Sequence, residues 1–263
     1  MLYLLGYFGI LLMGITLGII GGGGSIIALP IMVYLFKIPA DEAIVYSLCI
    51  IGCTSIFASF SNIRQKNFDA VIACKFGAAS VLMVAVTRSL IVPNIPTVLF
   101  TVNNITIYKS ATLLLLFAVL MLVAALKMIS TQTNSPAKNT PNGFFLIFRG
   151  AAIGVLTGLI GAGGGFLIVP TLIYHANLHV KKAIGTSLLI IGANSLIGFG
   201  VSTIHAPVHH WQQLCIFISI AIVGALVGIA LSKKMSNQKL KIAFGWFVLI
   251  TGIYIIIKEL FFN

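Results

Sequence analysis

Gly18-Ile-Ile-Gly-Gly-Gly-Gly-Ser-Ile-Ile-Ala-Leu-Pro30 recurs 140 positions later as Gly158-Leu-Ile-Gly-Ala-Gly-Gly-Gly-Phe-Leu-Ile-Val-Pro170. The register holds without a gap into the following segment, and 15 of the 38 positions from 18 to 55 are identical to their counterparts. Each copy places a run of glycines inside a long apolar stretch. In a membrane chain, glycine-interrupted segments at matching positions of two halves point to a transport site.

The composition favours a membrane protein over a soluble one. The chain is 59% hydrophobic and only 8% charged, so a single soluble core is implausible. Its net charge is +12, but the Lys and Arg residues lie singly or in pairs between apolar runs. That distribution is typical of loops beside membrane helices and not of a nucleic-acid-binding face. The expected partners are therefore the lipid bilayer and a small solute, with a homodimer left open.

The apolar runs divide the chain into ten helical segments, five in each half. The second segment of each half has about twelve residues and reaches roughly 18 Å, against a hydrocarbon core of about 30 Å. We therefore expect a short, glycine-broken helix in each half, either re-entrant or tilted. The polar stretch 94–106 is expected to be an extramembrane loop or a short interfacial helix. The predicted segments are 3–20, 25–36, 40–60, 70–92, 107–128, 144–160, 165–175, 180–201, 211–231 and 240–257.

The positive charges predict the orientation of these segments. Twelve of the Lys and Arg residues fall on the side of the polar linker 130–143, and four fall on the other side. Since cytoplasmic loops are rich in these residues, the linker is predicted inside and both termini outside, in a plasma membrane that we expect to be bacterial. The odd number of segments then inverts residues 144–263 relative to residues 1–129. The fold class is an all-α membrane protein built from two inverted-topology repeats.

The glycine motifs are the candidate substrate site. A helix that begins after an unwound stretch presents free N–H groups, so two converging starts would form an anion site near the midplane. Tight helix packing is the alternative role for the glycines, and hydroxyls in helices often bond their own backbone. The candidates share glycine backbones or short polar side chains. They are Gly21, Gly22, Gly23, Gly24, Ser25, Ser47, Ser55, Gly161, Gly163, Gly164, Gly165, Thr186, Ser187, Asn194 and Ser195.

Other chemistries have less support. His205 and His209 have the spacing of metal ligands but no acidic or thiol neighbour, so no metal site is predicted. Cys49 and Cys53 have no thiol counterparts in the second half. Catalytic constellations at membrane depth are lacking, so neither an enzyme nor a cofactor is expected. Coupling through Asp69 or a histidine stays open beside uniport.

Two further matches extend the repeat, Ala43-x-x-x-Ser47-Leu48 and Ala183-x-x-x-Ser187-Leu188. With the glycine motifs, they make the chain resemble the TauE/SafE family of membrane transporters, also described as sulfite exporters. The resemblance implies secondary transport, mostly outward, of a sulfur-containing anion such as sulfite or an organosulfonate. We expect alternating access around a midplane site between the two glycine-rich helix starts. The alternatives are a drug/metabolite-type transporter of another small solute and an anion channel.

Overall fold

The helices follow the predicted segments closely. The structure, a computed structural model, describes residues 2–96, 98–102, 105–130, 143–160, 164–204 and 210–261. The elements are α1 Leu2–Ile20, α2 Gly24–Pro30 with a π-helical turn Ile31–Leu35, α3 Ala40–Arg64, α4 Ala70–Val86 with a π-helical turn Thr87–Ile91, α5 Val92–Asn94, β1 Val98–Val102, β2 Ile105–Tyr108, α6 Lys109–Ser130, α7 Gly143–Ile160, α8 Gly165–His175, α9 Val180–Ser202, α10 Trp211–Lys233 and α11 Asn237–Phe261.

The lengths of these helices confirm a helical membrane fold. Among the described residues, 6 helices are long and apolar enough to cross a bilayer. The second segment of each half is short, as predicted. Helix α8 has 11 residues, which at about 1.5 Å per residue reach only about 17 Å.

The stretch between α5 and α6 differs from the expectation of a loop or an interfacial helix. Strands β1 and β2 pair there as an antiparallel hairpin, with Val98 opposite Tyr108 and Val102 opposite Ile105. Both strands are rich in β-branched and aromatic residues, which favour a pleated surface over a helix. The hairpin also lets the two segments satisfy their backbone hydrogen bonds with each other.

Each glycine motif ends one helix and begins another. Helix α1 ends at Ile20, Gly21 takes a φ of +81°, and α2 begins at Gly24. In the second half, Gly164 precedes α8 with a φ of +61°. Only glycine enters this left-handed region at little cost, so the motif itself sets the position of the break.

The centre of the bundle is a crossing of α3 and α9, which are counterparts in the repeat. Four neighbouring pairs define their direction, and the residue numbers rise along α3 as they fall along α9, so the helices are antiparallel. A shift of 140 positions exchanges the second and third pairs. The pairs are Leu48 with Gly198, Gly52 with Leu196, Ile56 with Gly192 and Asn62 with Gly185.

Two parallel helix pairs flank this crossing, and each combines one helix from each half. Helix α1 packs on α10, and its counterpart α7 packs on α4. Glycines of α1 lie against α10, and glycines of α7 lie against α4. Small residues allow this close approach between membrane helices. The contacts are Gly14 with Ala221, Gly18 with Ala225, Gly154 with Ser80 and Gly158 with Val84.

The final helices of the two halves, α6 and α11, also pack on each other, with Gly252 beside Met121. Counterpart helices therefore either pair with each other or exchange partners. An inverted repeat requires this pattern, and the inverted topology itself stays a prediction. The linker predicted at 130–143 lies outside the described residues except for Ser130 and Gly143.

The bundle is apolar outside and carries polar side chains inside. Leu4, Phe144 and Ile250 are 74%, 77% and 64% exposed. In contrast, a set of serines, threonines and asparagines is buried along α3 and α9. This distribution suits contact with lipid and places the polar groups at the crossing of the two halves.

Candidate functional site

We call the interruptions between α1 and α2 and between α7 and α8 the glycine breaks. The two glycine breaks meet at Gly22 and Gly165. A Cβ added to Gly165 would lie 2.7 Å from the Cα of Gly22, and a Cβ added to Gly22 would overlap the carbonyl oxygen of Gly165. The main chains at the starts of α2 and α8 are therefore closer than residues with side chains allow. The structure brings these two candidate residues directly together.

Gly21 connects the first break to the second half. A Cβ on Gly21 would lie 3.1 Å from the hydroxyl oxygen of Ser187 and 3.0 Å from the side chain of Ile184, both on α9. Its positive φ and this close approach each require glycine at the position. The break in one half thus contacts a candidate hydroxyl of the other half.

The other described motif glycines do not face the opposite break. Their neighbours show a packing role, which was the alternative interpretation of the motif. Gly161 and Gly163 lie outside the described residues. The neighbours of the remaining three are Phe247 for Gly23, Leu17 for Gly24 and Thr157 for Gly164.

Several candidate hydroxyls donate to carbonyls of their own chain segment. Their hydrogens are therefore engaged, as the alternative interpretation of helical serines expects. Thr186 has a different role, because its hydroxyl accepts from the backbone N–H of Asp69 at 3.1 Å and so fixes the loop before α4 on α9. The donated bonds are Ser25 to Gly22, Ser47 to Ile44 and Ser187 to Ile184, each at 2.8 Å.

Ser55 and Ser195 differ from these serines because their hydroxyls have no hydrogen-bond partner. Both side chains are 0% exposed. The adjacent residues repeat the pattern, since the hydroxyl of Thr54 and the side-chain carbonyl of Asn194 are also buried and unpartnered. Thr54 and Asn194 are counterparts in the repeat. An unsatisfied buried polar group costs about 1–3 kcal/mol, so four at equivalent positions call for a ligand or water.

The hydroxyls of Ser55 and Ser195 lie at the centre of the α3–α9 crossing, whereas the side chain of Asn194 reaches α4, where its Nδ2 donates to the hydroxyl of Ser80 at 2.8 Å. Ser55 is three residues after Gly52, and Ser195 is three residues after Gly192, so each lies on the helix face that meets the other helix. Ser47 is eight residues, about 12 Å, further along α3. The arrangement can present two neutral hydroxyl donors, one from each half, to a small solute between the halves.

The comparison with known proteins assigns the chain to a family. The model of the family described as "Sulfite exporter TauE/SafE" matches residues 7–255. The protein belongs to the TauE/SafE family. It is therefore a multi-pass membrane transporter, and the prediction that it is not an enzyme is confirmed by its family.

Relatives of this TauE/SafE protein match it over nearly the whole length of both chains. A probable membrane transporter protein of Xylella fastidiosa (strain Temecula1) is 28% identical over 259 residues, which cover 93% of this chain and 91% of the relative. The probable membrane transporter protein YdhB of Bacillus subtilis is 28% identical over 236 residues, covering 88% and 91%. A third, MJ0441 of Methanocaldococcus jannaschii, is 25% identical over 271 residues, covering 94% of each chain. No solved structure matches.

The TauE/SafE motif alone did not point to three polar residues of the interior. Thr54 was not predicted, because its counterpart is Asn194 and the repeat shows no identity at this position. Thr87 is 0% exposed with an unpartnered hydroxyl, and it begins a π-helical turn inside the candidate span Ala70–Asn94. The next residue, Arg88, donates to the hydroxyl of Ser202 on α9 at 2.5 Å. A π-helical turn in a membrane helix often accompanies a functional position.

Metal chemistry has no assembled site in the described part of this transporter. Groups of three or more potential metal ligands are not found there, and His205 and His209 lie outside it. Cys49 is buried and Cys53 half-buried on α3, and both are free thiols. Asp69, the candidate for coupling, caps α4 by accepting from the N–H of Ile72 at 3.0 Å.

Proposed function

We propose that this transporter moves a small sulfur-containing anion, sulfite or an organosulfonate, outward by alternating access. The proposed site lies between the glycine breaks and the α3–α9 crossing. The observation that carries the proposal is the pair of buried, unpartnered hydroxyls of Ser55 and Ser195. Each comes from an equivalent position of one half, so one solute between the halves can satisfy both.

The chemistry of the surrounding groups favours an anion over a cation. Hydroxyl groups and the N–H groups of helix starts donate hydrogen bonds to an oxyanion. Asp69, by contrast, meets α9 at Thr186, nine residues or about 13 Å along that helix from Ser195, and Asp41 is in the first turn of α3, 14 residues or about 21 Å before Ser55. A cation between Ser55 and Ser195 would have no carboxylate beside it among the described residues.

Contact between the breaks favours a carrier over an open channel. Gly22 and Gly165 touch through their main chains, so they leave no passage between them. A solute crosses at this point only if the two helix starts separate. Two halves that exchange conformations around a fixed site provide such a movement.

The direction of transport rests on the family resemblance and the charge distribution. With the lysine-rich side in the cytoplasm, both termini are outside the cell, and export runs from the lysine-rich side to the other. We propose a bacterial plasma membrane as the location.

A substrate panel in proteoliposomes tests the proposal. Purified protein is reconstituted, and initial rates are measured for sulfite, thiosulfate, sulfoacetate, sulfate and a neutral solute. We expect a sulfur-containing anion to give the highest rate and the neutral solute to match protein-free liposomes. A cation or a neutral amino acid as the best substrate in an extended panel would contradict the proposal.

A further inference from the structure

A cavity that is partly open to the surface lies at the end of the bundle where α3 ends and α9 begins. Its volume is about 100 Å³, several times the roughly 30 Å³ that one water molecule occupies in the liquid. Residues of both halves line it, and we name it the lysine cavity. The lining used below is Asn62, Gln65, Asn67, Lys181, Ile184 and Lys233.

The lysine cavity combines positive charge with neutral amides, and its described lining residues include no acidic side chain. Lys181 and Lys233 come from α9 and α10 of the second half, whereas the amides come from the end of α3 and the loop after it. Ammonium groups and amide N–H donors together suit a small oxyanion. A metal cation would find only amide and hydroxyl oxygens beside two positive charges.

The loop that lines one side of the lysine cavity is held in place by the second half. The N–H of Asn67 donates to the carbonyl of Asn62 at 3.0 Å, and the carbonyl of Asn67 rests against Gly185 of α9. The N–H of Asp69 donates to the hydroxyl of Thr186. Two side-chain amides of the lining are also fixed in the ligand-free protein, because Nδ2 of Asn62 donates to the carbonyl of Ala58 at 3.1 Å and Nε2 of Gln65 donates to the hydroxyl of Ser61 at 3.0 Å. Each NH2 group has a second hydrogen for a ligand, and the fixed geometry lowers the ordering cost of binding.

The two ends of the crossing differ, although the repeat relates them. The counterpart of Asn62 is Ser202, and the hydroxyl of Ser202 accepts from Arg88. The counterpart of Lys181 is Asp41. Paired lysines beside a cavity therefore occur at the end predicted to be cytoplasmic, whereas the positions equivalent to Lys181 and Asn62 at the other end are an aspartate and a serine that accepts from Arg88.

Ile184 links the lysine cavity to the glycine break. It lines the cavity, and its side chain would lie 3.0 Å from a Cβ on Gly21. Gly21 in turn approaches the hydroxyl of Ser187. Ile184, which is 5% exposed, thus lies between the cavity and the glycine break and contacts both.

We propose that the lysine cavity is a second binding site for small oxyanions on the cytoplasmic side, from which the substrate passes Ile184 to the glycine breaks. This role in transport rests on the proposed function. Binding of the oxyanion in the cavity does not, so the two are tested separately.

Protection from acylation tests the binding itself. Full-length protein in detergent is briefly treated with an amine acylating reagent in sodium sulfate or, at equal ionic strength, in sodium gluconate. Mass spectrometry then gives the modification rate of each lysine. At sulfate near twice its dissociation constant, the rate at Lys181 and Lys233 should fall about threefold. Lys182 and Lys234 are adjacent but not in the lining, and their rates should not change. Equal effects on all four lysines would overturn the proposal.

A matched pair of double variants tests the role in transport. Lys181→Gln with Lys233→Gln removes the cavity charges, and Lys182→Gln with Lys234→Gln removes the same charge from adjacent positions. With sulfite supplied to the cytoplasmic face of inverted membrane vesicles, the first pair should raise the KM about fivefold and the second should not. Equal KM values for the two pairs would overturn this role. Protection by sulfate without any sulfite flux in the wild type would instead refute the proposed substrate while leaving the binding site intact.

Discussion

Replacement of Ser55 by alanine separates a ligand-binding hydroxyl from a structural one. The hydroxyl of Ser55 is buried and has no partner, so it contributes no hydrogen bond to the empty protein. If it binds the substrate, Ser55→Ala should weaken transport and leave the fold intact or more stable. The same holds for Ser195→Ala in the second half.

The structure sets the size of both effects. A buried polar group without a partner costs about 1–3 kcal/mol, so its removal should not lower the melting temperature and can raise it by a few degrees. A hydrogen bond to a charged group contributes about 1.5–3 kcal/mol. Its loss in the substrate complex should raise the KM about 10- to 150-fold.

Ser59→Ala is the matched control, on the same helix and with the same change of side chain. Ser59 is 1% exposed, but its hydroxyl donates to the carbonyl of Ile56 at 2.6 Å. We expect an unchanged KM and an equal or lower melting temperature for this variant. Transport KM and thermal unfolding in detergent are measured for all three variants. A normal KM with a lowered melting temperature in Ser55→Ala would refute the role of this hydroxyl in binding.

Three further predictions follow from the same contacts. Gly22→Ala should abolish transport and lower stability by about 1–3 kcal/mol, because its Cβ would overlap the backbone of Gly165, whereas Gly200→Ala, with open space around it, should be silent in flux and unfolding assays. Ser187→Ala should raise the KM by less than about threefold, since the hydroxyl of Ser187 already donates its hydrogen to the carbonyl of Ile184. A larger rise in KM than in Ser55→Ala would mean that Ser187, and not Ser55, is the main binding hydroxyl. Lys138→Cys should react with a membrane-impermeant thiol reagent in inverted vesicles and not in intact cells, and labelling in intact cells would contradict the orientation.

The repeat in the sequence predicted much of the fold, because it fixes the spacing of 140 positions between the two halves and the positions at which the helices are interrupted. Four glycines in succession within an apolar stretch interrupt a helix wherever they occur, so the boundary between α1 and α2 was readable. The hairpin between α5 and α6 was not predicted, because polar asparagines and prolines around it resemble an ordinary loop. Its β-branched residues were the available indication.

The candidate site was predicted less completely, because sequence shows which residues are polar and not which are already bonded. Ser47 and Ser55 each have an identical counterpart in the second half, yet the hydroxyl of Ser47 donates to its own helix and the hydroxyl of Ser55 has no partner. Gly22 and Gly23 are adjacent, yet the first meets Gly165 and the second meets Phe247. These differences depend on how the segments pack against one another in three dimensions, which a single sequence does not encode in a readable form.

Counterflow of labelled sulfite tests the central claim most directly. Proteoliposomes are loaded with unlabelled sulfite and diluted into a trace of labelled sulfite, and uptake of the label is followed over time. A carrier that alternates around one sulfite site should accumulate the label transiently above its equilibrium level, and Ser55→Ala should require more internal sulfite to do so. Uptake that rises only to equilibrium, unaffected by internal sulfite, would contradict alternating access for this anion.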